Sequence, residues 1–210
     1  MPACVARAGL SRDEVVRLAL RLVDEVGPSG YDELSLARVS SAAGVATPSL
    51  YKHIDSLAAL RREVALACTR DLADVCTSAT IGRSEADAVR SLSVAMRRYA
   101  LTHPGRYAAA QVGPDPDDPA HAELRNEAGR LVGVVAAVLQ GFGLAESRTI
   151  DAVRAARSAL HGFLAIELAG GFRLPDDLDR SFETLVDLLV EGFRGLAGAS
   201  ALPGSTSSNH

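Results

Sequence analysis

"LARVSSAAGVATPSLYKHID", residues 36–55, decides how the rest of the chain is read. Ser35 is a ready N-cap for a helix from Leu36 to Ala43, and Gly44 permits the left-handed backbone that stops it. A second helix fits Pro48 to Ile54. Thr47 is its expected cap, and Pro48 takes the first helical position, where a missing N–H costs nothing. Val39, Ala43, Val45 and Leu50 supply apolar contacts that hold the pair at a fixed angle. Two short helices joined by "AGVAT" form a helix-turn-helix candidate, a unit that docks its second helix in the DNA major groove.

The same stretch contains the only lysine of the chain, Lys52. A recognition helix needs hydroxyls and free N–H groups at its positive end to meet phosphates, and Thr47 and Ser49 offer them. It also needs side chains that reach base edges or flanking phosphates, and Tyr51, Lys52 and His53 fit that need. Leu50 and Ile54, four apart, turn back toward a core. An ordinary helical hairpin with Tyr and His on its surface fits the same pattern.

Composition bounds the alternatives. The chain has 210 residues, a net charge of -4 and 48% hydrophobic residues, with aromatics at 4% and no Trp. That is a globular chain long enough for a real core, rich in Ala, Leu, Val and Arg, which favours helix. Residues 1–55 carry six Lys/Arg against seven Asp/Glu, a net of -1, so any DNA-attracting field is local. No apolar run approaches the roughly 20 residues that span a membrane, and the first residues lack a signal-peptide core, which reads as a soluble cytoplasmic protein. On one helix, Cys68 and Cys76 would stand about 12 Å apart along the axis, too far for a disulfide. With Cys4 they read as buried hydrophobes. His103, His121 and His161 show no ligand spacing, so neither a metal nor a cofactor is expected.

Almost every remaining segment reads as amphipathic helix, with no strand alternation, so the expected class is all-α. Val15, Leu18, Ala19, Leu22, Val23 and Val26 recur at three and four, behind Ser11 as N-cap with Glu14 in capping-box spacing. A longer helix runs from Leu57 toward Ala79, capped by Asp55 or Ser56. Another carries Val89, Leu92, Met96, Tyr99 and Ala100 and is stopped by "THPGRY", because Pro104 disfavours helix at His103. Asp118 and Pro119 open the next, and two long helices, about Thr149–Ala169 and Asp176–Leu196, close the fold. The expected domains are 1–55 for DNA, 56–80 as a connecting helix, 81–198 for effector binding and dimerisation, and 199–210 as a disordered tail.

From Ser11 to about Val64 the sequence resembles the N-terminal domain of the TetR family of one-component transcriptional regulators. The matching features are the first amphipathic helix, "LARVSSAAGVATPSLYKHI" and "LAALRREV". Ser40 stands where the family often has Ala. Leu57 stands where many members have a phosphate-contacting Lys, which leaves Arg38, Arg61 or Arg62 to compensate. The resemblance implies a DNA-facing set of Arg38, Thr47, Pro48, Ser49, Tyr51, Lys52 and His53. "RSALHGFLAIELAGGF" and "HPGRYAAA" resemble the subgroup with a Trp-His-Gly effector signature, here Leu160, His161 and Gly162. Together the two regions imply an all-α homodimer that represses transcription at a palindromic double-stranded operator and releases it when a small-molecule effector binds.

Met96, Tyr99, His103, Tyr107, Gln111, Phe142, His161 and Phe163 mix apolar bulk with sparse polar tips, as ligand cavities do, and fill a core equally well. Leu160, Leu164, Phe182, Leu185, Leu189 and Phe193 lie on wide apolar stripes of the closing helices. Those stripes suit a two-fold four-helix interface or a monomer core. The connecting helix from Leu57 is the element expected to carry a signal from effector to DNA. Two other functions stay open: an all-α small-molecule-binding protein or enzyme with an incidental helix-turn-helix, and a constitutive DNA-binding regulator.

Overall fold

Ser11 accepts the backbone N–H of Glu14 at 3.2 Å and so starts the first helix, α1 (Arg12–Val26), as its capping pattern predicts. The computed structural model describes residues 10–200, so Cys4 and the tail beyond Ser200 lie outside the described residues. These residues form nine α-helices and one 3-10 turn, with no strand among them. After α1 come α2 (Leu36–Ala43), α3 (Thr47–Leu50), α4 (Leu57–Thr80), α5 (Glu85–Thr102) and α6 (Pro104–Ala110). The turn Pro119–His121 then leads into α7 (Ala122–Gln140), α8 (Glu146–Leu168) and α9 (Leu178–Ser200). Residues 199 and 200 thus belong to α9 and not to a disordered tail.

Helix α6 departs from the sequence expectation. Pro104 does end α5, but it also opens a new helix of seven residues, with His103 as its cap position. A proline at the first helical position lacks only an N–H that has no partner there anyway.

Two compact units result. Among the described residues, the first joins those up to Asp71 with Thr102–Glu127; the second joins Leu72–Leu101 with those from Ala128 onward. This differs from the linear division at residues 55 and 80, because α6 returns to α1. At Gly105 an added Cβ would sit 2.5 Å from the Gly27 carbonyl oxygen and 2.6 Å from that of Val23, so only glycine permits this approach. In the same unit Ala65 and Leu66 of α4 bury against Leu124, with Tyr31 packed on them. In the second unit the core includes Leu92, Val153, Leu160, Leu164, Phe182, Val186, Val190 and Phe193.

Candidate nucleic-acid interface and effector half

The turn between α2 and α3 is built from backbone first. Gly44 adopts the left-handed conformation at φ 66 and ψ 31. Its N–H reaches the Ser41 carbonyl at 3.1 Å, and the Val45 N–H reaches the Ser40 carbonyl at 3.0 Å. This pair of bonds is a Schellman ending, which satisfies carbonyls the helix leaves open. Val39 and Leu50 are 0% exposed and Ile54 is 2% exposed, so both helices are pinned from below.

Two expectations about α3 are corrected. It spans four residues, Thr47–Leu50, and continues as a turn in which His53 and Ile54 both donate to the Leu50 carbonyl, at 2.8 and 3.0 Å. Its cap position is Ala46, which offers no side-chain acceptor, and Thr47 is already helical with Pro48 behind it. The Thr47 hydroxyl lies 2.9 Å from the Ser40 hydroxyl instead. Thr47 is one position past the residue whose side chain caps, and that is the physical reason it does not cap.

Tyr51 is 55% exposed, and Pro48 and Lys52 are exposed beside it, while Ser49 and His53 are half-buried. Aromatic, cationic and hydrogen-bonding groups are thus displayed together on one rigid turn. Arg38 is half-buried and pairs with Glu33 at 3.5 Å, near a groove of about 470 Å³ lined by Leu22, Ala37, Arg38, Ser41 and Ala42. Arg61 does other work than the phosphate contact considered for it. Its guanidinium donates to the carbonyls of Asp32 at 2.6 Å and Leu34 at 3.3 Å. It therefore staples the approach to α2 onto α4, and Tyr31 donates back to the Arg61 carbonyl at 3.3 Å. Arg62 lines a cleft with Arg12, Glu63, Leu66 and the start of α7.

Sequence reasoning missed Arg106. It donates from Nε and Nη2 to both carboxylate oxygens of Asp24, at 2.6–3.0 Å, and from Nη1 to Asp71 at 3.3 Å. One α6 side chain so clamps α1 and α4, and His103 Nδ1 adds a 3.7 Å approach to Asp24. The "HPGR" string signals a turn, and the partners of Arg106 lie 35 and 82 positions away, beyond any local pattern.

The proposed effector residues divide between the two units. His103, Tyr107 and Gln111 belong to the first; Met96, Tyr99, Phe142, His161 and Phe163 belong to the second. Tyr99 is 7% exposed. Phe142 meets Phe193 edge-on at 6.0 Å. Phe163 packs between Phe172 and Phe182, at 4.8 and 5.3 Å. Arg97 lies over Phe182 at 4.8 Å and bonds Glu167 at 2.6 and 3.0 Å, with Asp179 at 2.8 Å. The hydrogen bonds to Glu167 hold this guanidinium protonated above its ordinary range. Burial, then the charge of Arg157, lowers the His161 pKa and favours the neutral imidazole.

Four residues expected at a dimer interface are core within their own chain: Leu160 and Phe193 at 3% exposure, Phe182 at 2% and Leu164 at 0%. Their helical stripe is wide because one side of it closes the protomer. Leu185 and Leu189 are half-buried, and Ile150, Ile166 and Leu188 are the exposed large apolar residues of α8 and α9. Among the described residues no group of three or more His, Cys, Asp or Glu stands together to hold a metal. No described helix is long and apolar enough to cross a membrane.

Comparison with known proteins agrees with this geometry. Residues 89–189 match the family described as tetracyclin repressor-like, C-terminal domain. The chain is 38% identical over 178 residues to the uncharacterized HTH-type transcriptional regulator Rv0681 of Mycobacterium tuberculosis, covering 83% of this chain and 77% of that one. It is 31% identical over 187 residues to the uncharacterized HTH-type transcriptional regulator YobS of Bacillus subtilis, covering 89% of this chain and 94% of that one. A TetR variant from Acinetobacter baumannii AYE, solved in complex with minocycline, shares the fold. The TM-score is 0.65 at 23% identity, over 90% of this chain and 99% of that chain. These relatives and the helix-turn-helix geometry together mark a transcription regulator of the helix-turn-helix type. The chain belongs to the TetR family.

Proposed function

We propose that this regulator is a repressor that binds a palindromic operator as a homodimer and releases it when a small molecule occupies its effector half. The observation that carries the reading is the display of Tyr51 and Lys52 on a turn anchored by the buried Leu50 and Ile54. Rigid presentation of few side chains is what base and phosphate contacts require. Two-fold symmetry then asks for half-sites about one helical turn, roughly 34–36 Å, apart.

The exposed Ile150, Ile166 and Leu188 support pairing through α8 and α9. The minocycline bound to the related fold supports a small-molecule effector of some kind here. The Leu-His-Gly string at 160–162 supports reading the effector half as one of the Trp-His-Gly type, with Leu160 buried in the core at the aromatic position. A ligand shifts DNA affinity only through unequal affinity for two conformations. Helix α4 contributes to both compact units, and Arg106 ties it to α1 and α6. These elements are our route for the signal.

Thermal-shift screening tests the reading. A compound that raises the melting temperature is expected to weaken duplex binding. If stabilising compounds leave duplex affinity unchanged, the regulator is constitutive.

A further inference from the structure

Ser40 is 4% exposed, and both its carbonyl and its hydroxyl are hydrogen-bonded. Its carbonyl accepts the Val45 N–H at 3.0 Å. Its hydroxyl lies 3.0 Å from the Ala37 carbonyl and 2.9 Å from the Thr47 hydroxyl. A serine hydroxyl has one proton and two lone pairs. The Ala37 carbonyl has no proton to give, so the Ser40 proton goes there. The remaining contact is then made by the Thr47 proton, donated to a Ser40 lone pair. The outward side of the Thr47 oxygen is left with lone pairs only. A phosphate oxygen is also an acceptor, so it gains no hydrogen bond from this hydroxyl.

We propose that Ser40 and Thr47 form a hydroxyl clamp that fixes the pitch of α3 against α2, making both positioning residues for DNA reading, and that Thr47 is not a phosphate ligand. The clamp stands in for the missing cap at Ala46, since nothing in that side chain holds the start of α3. With the Ser40 carbonyl on Val45, one buried residue fastens the turn at two points. The proposal rests on the helix-turn-helix docking stated above.

The test uses the full chain and a duplex selected by the wild-type protein from a random-sequence library. Ser40→Ala, Thr47→Val, the double variant and Thr47→Ser are compared across a salt series. Loss of one neutral hydrogen bond is expected to weaken duplex affinity about fivefold. The double variant should be no weaker than either single, Thr47→Ser should bind like wild type, and the slope of log affinity against log salt should not change. A slope about 0.9 shallower for Thr47→Val, with Ser40→Ala unaffected, would make Thr47 a phosphate contact and overturn the clamp. Additive losses, or two neutral single variants, overturn it as well. The same cycle is read in thermal unfolding of the free protein, where coupling between the two hydroxyls is expected and independence contradicts the clamp. A wild-type chain that selects no duplex overturns the docking reading, and unfolding then judges the clamp alone.

Discussion

Arg106 of α6 and Asp24 of α1 stand 82 positions apart in the chain and meet at 2.6 Å, Nη2 to Oδ2. The contact is bidentate, and the same guanidinium also reaches Asp71. Planar fork geometry of this kind belongs to arginine and not to lysine. Arg106→Ala is expected to destabilise the first unit by about 1–2 kcal/mol, with Arg106→Lys recovering only part of it. Gly105→Ala is expected to be worse, about 2 kcal/mol or more, because its Cβ meets backbone that must shift. Thermal unfolding checks both. Equal stability of Gly105→Ala and wild type would contradict the close packing of α6 on α1.

Arg61 and Lys52 are both cations of the first unit, yet they should fail differently. Arg61 is spent on the Asp32 and Leu34 carbonyls, whereas Lys52 is exposed. Arg61→Ala is expected to lower the melting temperature and leave the salt slope of duplex binding intact. Lys52→Ala is expected to leave the melting temperature alone and reduce the slope by about 0.9. A salt titration of both variants separates the roles, and a reversal of the two patterns would refute them.

Much of this unit is legible in the sequence. Ser11, Ser35 and Gly44 act locally, and each does in the structure what its residue type predicts. Thr47 reads as a cap by residue type, but the turn after Gly44 starts α3 one residue earlier, with Ala46 at the cap position, and periodicity does not give that start. Helix α6 is not legible locally because Pro104 signals a stop and a start alike, and the Gly105 contact that decides between them is long-range. The stripes of α8 and α9 show burial without showing whose surface does the burying, so Phe182 read equally as interface or core.

That last distinction carries its own prediction. Leu188 is 67% exposed and Phe182 is 2% exposed on the same helix. If the proposed dimer pairs through this face, Leu188→Glu is expected to leave a folded monomer, seen as a halved light-scattering mass with a cooperative melt. Phe182→Glu is expected to damage the protomer itself, since it buries an unpaired carboxylate. A native mass of one chain at micromolar concentration would contradict the dimer.

Cys68 and Cys76 are buried, and desolvation pushes each thiol from 9.0 to about 12. The fold therefore favours the neutral thiol. Its contribution to stability is fully present below about pH 9 and is lost as pH rises from there toward 12. At pH 8 a thiol-reactive dye should label at most one of the 3 cysteines in the folded chain, and all of them in denaturant. Prompt labelling of two or more in the folded protein would contradict the burial.

The central claim is that the exposed turn after Leu50 reads DNA. Its most direct measurement is the affinity of the Tyr51→Ala, Lys52→Ala double variant for the duplex that the wild-type chain selects, taken alongside its melting temperature. Both side chains lie outside the core, so the account predicts an unchanged melt and a loss of selective binding of about thirtyfold or more, from two contacts worth about 1–3 kcal/mol each. Wild-type affinity in a folded double variant would contradict it.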